Sequence, residues 1–430
     1  MEWKTPMNKP VYSVPSMNQI RELPWNGFTV ASTFSGCGGS STGYRMAGFK
    51  VLWASEFIDE ARRTYLENAA PYTIVDGRDI RNVKPQDILT AIKMQPGDLD
   101  LFDGSPPCSA FSTAGKREAG WGTVKKYSDK SQRVDDLFFE YVRLIDGIQP
   151  KVFVAENVSG LVKGTAKGYF LEILAKLKGC GYRVSCRVLD AKWLGVPQAR
   201  QRTIFVGVRE DLKLDPVHPK PLPYFYSLRD ALPWIKASGG IRNTGFGKNT
   251  MRPSSEPAAT IMAGGAGGMN TSQFGVEAIL TGDTGAAFGQ KDQAFDSDKP
   301  CPTVLGTKPN QFAVRSLDMT RFAIGKEWDK LKPGESSAKY FNLVKPHPDK
   351  PCPTICASHG HPGIAGVTHP VEKRKLTIEE LKRICAFPDD FVLTGSYAQQ
   401  WERLGRAVPP VMMSHIAATV RDQILRKIKK

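Results

Sequence analysis

Between Phe28 and Arg209 short apolar runs alternate with amphipathic segments of helical length, and this alternation constrains the fold more than any other feature of the chain. The runs are "FTVASTF", "KVLWASE", "YTIVDG", "LDLFDG", "KVFVAEN" and "TIFVGVR", and the helical segments include "DEARRTYLENA", "DDLFFEYVRLIDG" and "GYFLEILAKLKGCG". Strands separated by helices in this order predict an α/β fold, a doubly wound, mostly parallel sheet. Such sheets bind ligands outside the carboxyl ends of their strands.

A chain of 430 residues exceeds the size at which one core keeps growing, so a second domain is expected. Residues 1–27, with Pro6, Pro10, Pro15 and Pro24, read as an extended N-terminal arm. Residues 28–215 form the first part of the sheet domain. The texture changes at "DPVHPKPLPYF", and residues 216–372 are rich in Gly, Pro, Ser and Asn, with three degenerate turn-to-strand repeats, "RPSSEPAATIMAGG", "FDSDKPCPTVLGT" and "PHPDKPCPTICASHG". Helical character returns in 373–430, through "TIEELKRICAF" and "VMMSHIAATVRDQILRKIKK". The spacing in the final helix suits packing on the first domain, which makes the loop-rich region an insertion.

Lys and Arg outnumber Asp and Glu by 59 to 43, a net charge of +16, which favours a polyanionic partner. No apolar run approaches the ~18 residues of a membrane span, and the first residues lack the apolar core of a signal peptide, so a cytoplasmic monomer is expected. Eight cysteines are too sparse for a disulfide framework and are read as thiols. "CPTICASHGH" offers Cys352, Cys356, His359 and His361, but it has no CxxC pair and its Pro353 and Gly360 read as loop. No metal is expected there.

Two turns carry chemistry. In "DLDLFDGSPPCSAFSTAG" a strand ends at Asp103, and Cys108 follows on a stiff diproline turn. In "TFSGCGGSSTGYRMAGF" the glycines at 36, 38 and 39 permit a tight turn and close backbone approach to a ligand. A dinucleotide is disfavoured, because FxGxGG departs from GxGxxG and no phosphate-holding helix start is expected at the usual register. Glu56 and Asp79 close the next two strands, where carboxylates take ribose hydroxyls, so a nucleoside without pyrophosphate fits. A nicotinamide oxidoreductase is the reading this spacing disfavours.

With "SPPCS" and "FSGCGG", four further stretches complete an ordered series: "ENV" at 156–158, "QARQR" at 198–202, "LTIEELKRICAFP" at 376–388 and "GRAVPP" at 405–410. In this series the chain resembles the DNA cytosine-5 methyltransferase family. The resemblance implies S-adenosyl-L-methionine as cofactor, a class I methyltransferase sheet, and double-stranded DNA as partner. It places Phe34, Gly36, Cys37, Gly38, Gly39, Glu56, Phe57, Asp79, Ile80 and Pro107 around the cofactor and makes 216–372 the target recognition domain. Members of this type accompany restriction systems or protect phage and mobile genomes.

The chemistry follows from the substrate. Carbon 5 of cytosine is too weak a nucleophile to attack a methyl sulfonium, so a nucleophile must first add to carbon 6; a thiolate suits this role, and Cys108 is the candidate. Glu156 is placed to protonate or hydrogen-bond ring nitrogen 3, and Asn157 to order the turn. Arg202 would hold the cytosine O2, while Arg200 would sit beside the thiol and favour the thiolate. A duplex base must be flipped to reach the thiol. Residues 112–133, with basic residues at 116, 117, 125, 126, 130 and 133, read as a mobile lid that grips phosphates. The sequence identifies no base for the carbon 5 proton. Transfer RNA methylation by the same chemistry and a non-catalytic DNA-binding protein are the alternatives.

One residue departs from the family. Where an asparagine usually follows the glycine near the methionine end of the cofactor, this chain has Arg406 after Gly405. Two unit cations about 4 Å apart repel by roughly 4 kcal/mol at an effective dielectric near 20. Either Arg406 turns to a carboxylate or phosphate, or the donor is carboxy-S-adenosyl-L-methionine, with 5-carboxymethylcytosine as product.

Overall fold

The computed structural model describes residues 9–107, 136–162, 167–235 and 317–428, and the backbone of the short paired strands Lys125–Tyr127 and Lys130–Gln132. Cys108, most of the 112–133 segment and the first two turn-to-strand repeats lie outside the described residues.

Seven strands form the sheet: β1 Thr29–Thr33, β2 Lys50–Ser55, β3 Ile74–Asp76, β4 Leu101–Gly104, β5 Val152–Val158, β6 Tyr182–Asp190 and β7 Gln201–Arg209. Their spatial order is β3-β2-β1-β4-β5-β7-β6. The first five are parallel; β7 runs antiparallel to β5, and β6 antiparallel to β7. The order reverses between β1 and β4, so the loops after these strands flank the crevice where such sheets bind ligands. Alternate residues of β5 fill two cores: Phe153 and Ala155 join Phe102, Phe138 and Tyr141 on one face, and Val152 and Val154 join Ile204, Met412 and Ile416 on the other. Burial on both faces explains why these strands read as continuous apolar runs.

Four local features differ from the sequence reading. The N-terminal arm is not wholly extended: helix α1 spans Met17–Glu22, and Ser16 and Gln19 form a capping box at its start. A helix does start after the glycine loop, since α2 spans Gly39–Met46. Its sequence, with two glycines, two serines and a threonine, has poor helix propensity. Packing sustains it instead, because a Cβ on Gly43 would stand 2.5 Å from the Pro410 carbonyl oxygen and 2.6 Å from Met413 Cβ. Strand β6 escaped notice because it is an edge strand with no regular alternation of burial. The final helix stops at Gln423, and the turn Leu425–Lys427 follows it.

The chain divides into two compact units. The first comprises Met1–Leu232, Asp349–Gly360 and Leu381–Lys430. Residues 349–360 belong to it because the amide of Cys352 donates to the Pro197 carbonyl (2.9 Å) and the Cys352 carbonyl accepts from the Ala199 amide (2.8 Å). The second unit comprises Pro233–Pro348 and His361–Glu380. Its described part has a small core of Met319, Ile324, Trp328, Leu331 and Leu343, and a buried bidentate pair between Arg374 and Glu380, both bonds 2.8 Å.

Candidate active site

The loops after β1, β2 and β4 are knitted together by backbone bonds. The amide of Ser35 donates to the Ser55 carbonyl (3.0 Å), and that of Ser105 to the Thr33 carbonyl (3.3 Å). Phe34 takes a left-handed conformation, φ +52°, and turns the chain sharply at the end of β1. The buried Glu56 carboxylate accepts the Gly36 amide on Oε2 (2.8 Å) and the Ile58 amide on Oε1 (2.7 Å). Burial raises its pKa, and the two amides oppose the shift. Gly36 has φ +56° with open space where a Cβ would stand, so a ligand can approach its backbone.

The other glycines of the loop face inward. A Cβ on Gly38 would meet Tyr65 at 3.2 Å, and one on Gly39 would clash with the Val408 carbonyl oxygen. Cys37 is buried, its thiol 3.8 Å from the Arg403 carbonyl, and burial pushes it up to about 12. That thiol is no nucleophile. Asp79 caps the turn Ile80–Asn82, accepting the Arg81 amide (3.0 Å), and pairs with the Arg81 guanidinium, which also binds Asp136. Ile80 is buried beneath the turn, and Phe57 is half-buried.

On the other side, β4 leads into Ser105, Pro106 and Pro107, the last described residue before Cys108. Asn157, buried at the end of β5, donates its side-chain amide to the Pro106 carbonyl (3.1 Å) and so fixes the diproline turn. Glu156, next to it and also buried, has Oε1 2.6 Å from Arg202 Nε on β7. Arg200 is fully enclosed: Nη1 donates to the Gly405 carbonyl (3.0 Å) and Nη2 to the Arg406 carbonyl (3.2 Å). Burial, with the charge of Arg202 behind it, presses its guanidinium down to about 9.

Arg406 ends helix α3, Tyr397–Arg406, and its guanidinium pairs with Glu402 one turn earlier, Nε at 2.9 Å and Nη2 at 2.8 Å. The sequence reading offered a nearby carboxylate or a phosphate as its partner, and the carboxylate is that of Glu402. It also missed Asp103, Ser32 and Tyr44, a buried cluster in which Asp103 accepts from Ser32 Oγ (2.7 Å) and from the Tyr44 hydroxyl (3.0 Å). The signal was present in "LFDG", where one acid interrupts a strand buried at every position. Among the described residues no group of three or more His, Cys, Asp or Glu is arranged to hold a metal ion, and no helix is long and apolar enough to cross a membrane.

The family model for C-5 cytosine-specific DNA methylases matches residues 28–422. The chain is 28% identical over 415 residues to the type II methyltransferase M.DdeI of Desulfomicrobium norvegicum, covering 91% of this chain and 88% of that protein. It is also 28% identical over 393 residues to M.NgoFVII of Neisseria gonorrhoeae, covering 91% and 86%. An E. coli prophage protein described as a DNA modification methyltransferase shares the fold with a TM-score of 0.59 at 22% identity, over 93% of this chain and 100% of that one. The Dnmt2 methyltransferase of S. pombe does so with a TM-score of 0.50 at 14% identity, over 92% and 98%. The match over 28–422 takes in both loops and the Glu156–Arg202 pair, and the chain belongs to the C-5 cytosine-specific DNA methylase family, as a DNA cytosine-5 methyltransferase.

Proposed function

We propose that the enzyme methylates a cytosine flipped out of a specific duplex sequence, through a transient bond between Cys108 and carbon 6. The observation that carries this reading is the Glu156–Arg202 pair, 2.6 Å apart beside the turn that Asn157 ties down through Pro106. An acid and a fixed cation at that turn match the two polar edges of a cytosine ring. Glu156 supplies a proton or hydrogen bond to nitrogen 3 while Arg202 holds O2, and both make carbon 6 more open to attack.

The loop at Gly36 fits S-adenosylmethionine. It offers an open backbone face at Gly36, a buried Glu56 with lone pairs left for ribose hydroxyls, and Asp79 at the neighbouring strand end. When bound, the cofactor supplies an electrophilic methyl group on a sulfonium. The chain's own part is to hold the flipped ring against the Cys108 turn and to exclude water. Arg200 contributes by fastening the Gly405 and Arg406 carbonyls to the start of β7.

We assign base recognition to 216–372 and phosphate contacts to the basic residues of 112–133. A role in restriction-modification and a cytoplasmic setting accord with the type II relatives. The Glu402 carboxylate neutralises Arg406 and favours the methyl donor over its carboxylated form, which would require Arg406 to leave Glu402. Labelled cofactor tests the substrate class: transfer to duplex DNA, with none to transfer RNA, is expected, and the reverse would overturn the assignment.

A further inference from the structure

In the described part of the second unit, residues 334–337 and 343–345 pair as a short hairpin with 338–342 at its tip. The Gly334 amide donates to the Lys345 carbonyl (2.7 Å), the Lys345 amide to the Glu335 carbonyl (3.0 Å) and the Ser337 amide to the Leu343 carbonyl (2.9 Å). Ser337 Oγ closes the tip from inside. It accepts the amides of Lys339 (3.1 Å) and Tyr340 (3.0 Å) and donates to Glu327 Oε1 (3.1 Å). The Leu343 amide donates to the Tyr340 carbonyl (2.8 Å), and Leu343 is buried in the small core against which Tyr340 packs.

Phe341 is left at this tip, 83% exposed, the most exposed aromatic side chain among the described residues. An exposed apolar side chain alone is ordinary. This one stands on a loop held by its own hydrogen bonds, so its outward position is built in, and the exposed Lys339 lies two residues before it. Recognition residues are commonly presented on loops fixed to a rigid scaffold. An outward ring beside a cation fits a polyanion that carries apolar surfaces between its charges, as duplex DNA does.

We infer that the loop 338–342 reads the target duplex, with Phe341 burying its ring against an apolar base surface while Lys339 meets a phosphate. The inference rests on the assignment of base recognition to 216–372 and narrows it to one loop. Duplex DNA offers a phenyl ring two such surfaces: the 5-methyl group of thymine in the major groove, and the face of a base left unstacked where the cytosine has flipped out. Both belong to bases, so Phe341 contributes to the choice of sequence. Phosphate is the same at every site, so Lys339 contributes affinity alone.

The experiment first reads the recognised site by sequencing modified cytosines in DNA from cells that express the full chain. Anisotropy titrations then compare a duplex carrying that site with one lacking it. Phe341→Ala should lower affinity for the specific duplex roughly ten- to hundredfold and leave the non-specific duplex unchanged. Lys339→Ala should weaken both alike and reduce the salt slope by about one. The urea unfolding midpoint and S-adenosylmethionine binding of Phe341→Ala should match the wild type; a lowered midpoint would make Phe341 a structural residue and overturn the inference.

Deoxyuridine in place of each thymine of the site in turn identifies the surface. A thymine methyl is the partner if one replacement weakens the wild type and leaves Phe341→Ala unaffected. A base face is the partner if no replacement matters and Phe341→Trp keeps the wild-type affinity that Phe341→Leu loses. An unchanged ratio of specific to non-specific affinity in Phe341→Ala overturns the inference. Hydrogen exchange separates that failure from failure of the wider assignment. Protection within 216–372 on adding the specific duplex, alongside a neutral Phe341→Ala, removes this loop alone, whereas no protection anywhere in 216–372 removes both.

Discussion

Glu156 and Arg202 face one another at 2.6 Å across the antiparallel ladder of β5 and β7, where Val158 registers with Arg202 and Glu156 with Ile204. Antiparallel pairing brings a residue from each strand to the same edge of the sheet. The acid and the cation of the proposed site therefore come from two distant segments, 46 positions apart by their residue numbers, 202 less 156. Glu156→Gln keeps the hydrogen-bonding shape but removes the ionisable proton. Single-turnover methyl transfer should fall by about 10²–10⁴-fold, with DNA affinity in gel-shift titrations changed only a few-fold. Normal turnover with a large loss of affinity would make Glu156 a DNA contact instead.

The close approach of α2 to the helix Pro410–Gln423 predicts a stability effect remote from the chemistry. Gly43→Ala forces a methyl to within 2.5 Å of the Pro410 carbonyl and 2.6 Å of Met413 Cβ, and should cost about 1–3 kcal/mol or more in urea unfolding. Gly168→Ala, where a Cβ meets nothing within 4 Å, should be neutral or stabilising by up to about 1 kcal/mol. Equal effects at the two positions would contradict the packing described.

The strands around the site were legible because burial on both faces makes them apolar throughout, as in Val152–Val158, and because small-residue turns follow β1 and β4. Helix α2 was not legible. Its residues are poor helix formers, and what stabilises it, the segment 408–414, is more than 360 positions away in sequence. Glu56 was legible as an acid at a strand end, whereas its two backbone donors depend on how the Phe34 turn folds. The partner of Arg406 lay four residues earlier on the same helix and could have been found from i,i+4 charge spacing alone.

Arg406 carries a prediction of its own. Since Glu402 already pairs with it, Arg406→Asn should change neither the choice of donor nor the modified base, and mass spectrometry of digested DNA after competition between the two cofactors should find 5-methylcytosine alone. Detection of 5-carboxymethylcytosine from the wild type, lost in the variant, would show that Arg406 binds a carboxylate on the donor.

The covalent role of Cys108 is the centre of the account, and mechanism-based trapping measures it directly. Duplex DNA carrying 5-fluorocytosine at the recognised position blocks the release step, because fluorine replaces the carbon 5 proton that must leave. Incubated with S-adenosylmethionine, the wild type should form a complex stable to denaturing electrophoresis, and peptide mass spectrometry should place the link on Cys108. Cys108→Ser should form no such complex, should lose methyl transfer, and should retain specific DNA binding. A trapped complex through another cysteine, or a serine variant that still methylates at more than a trace of the wild-type rate, would contradict the mechanism.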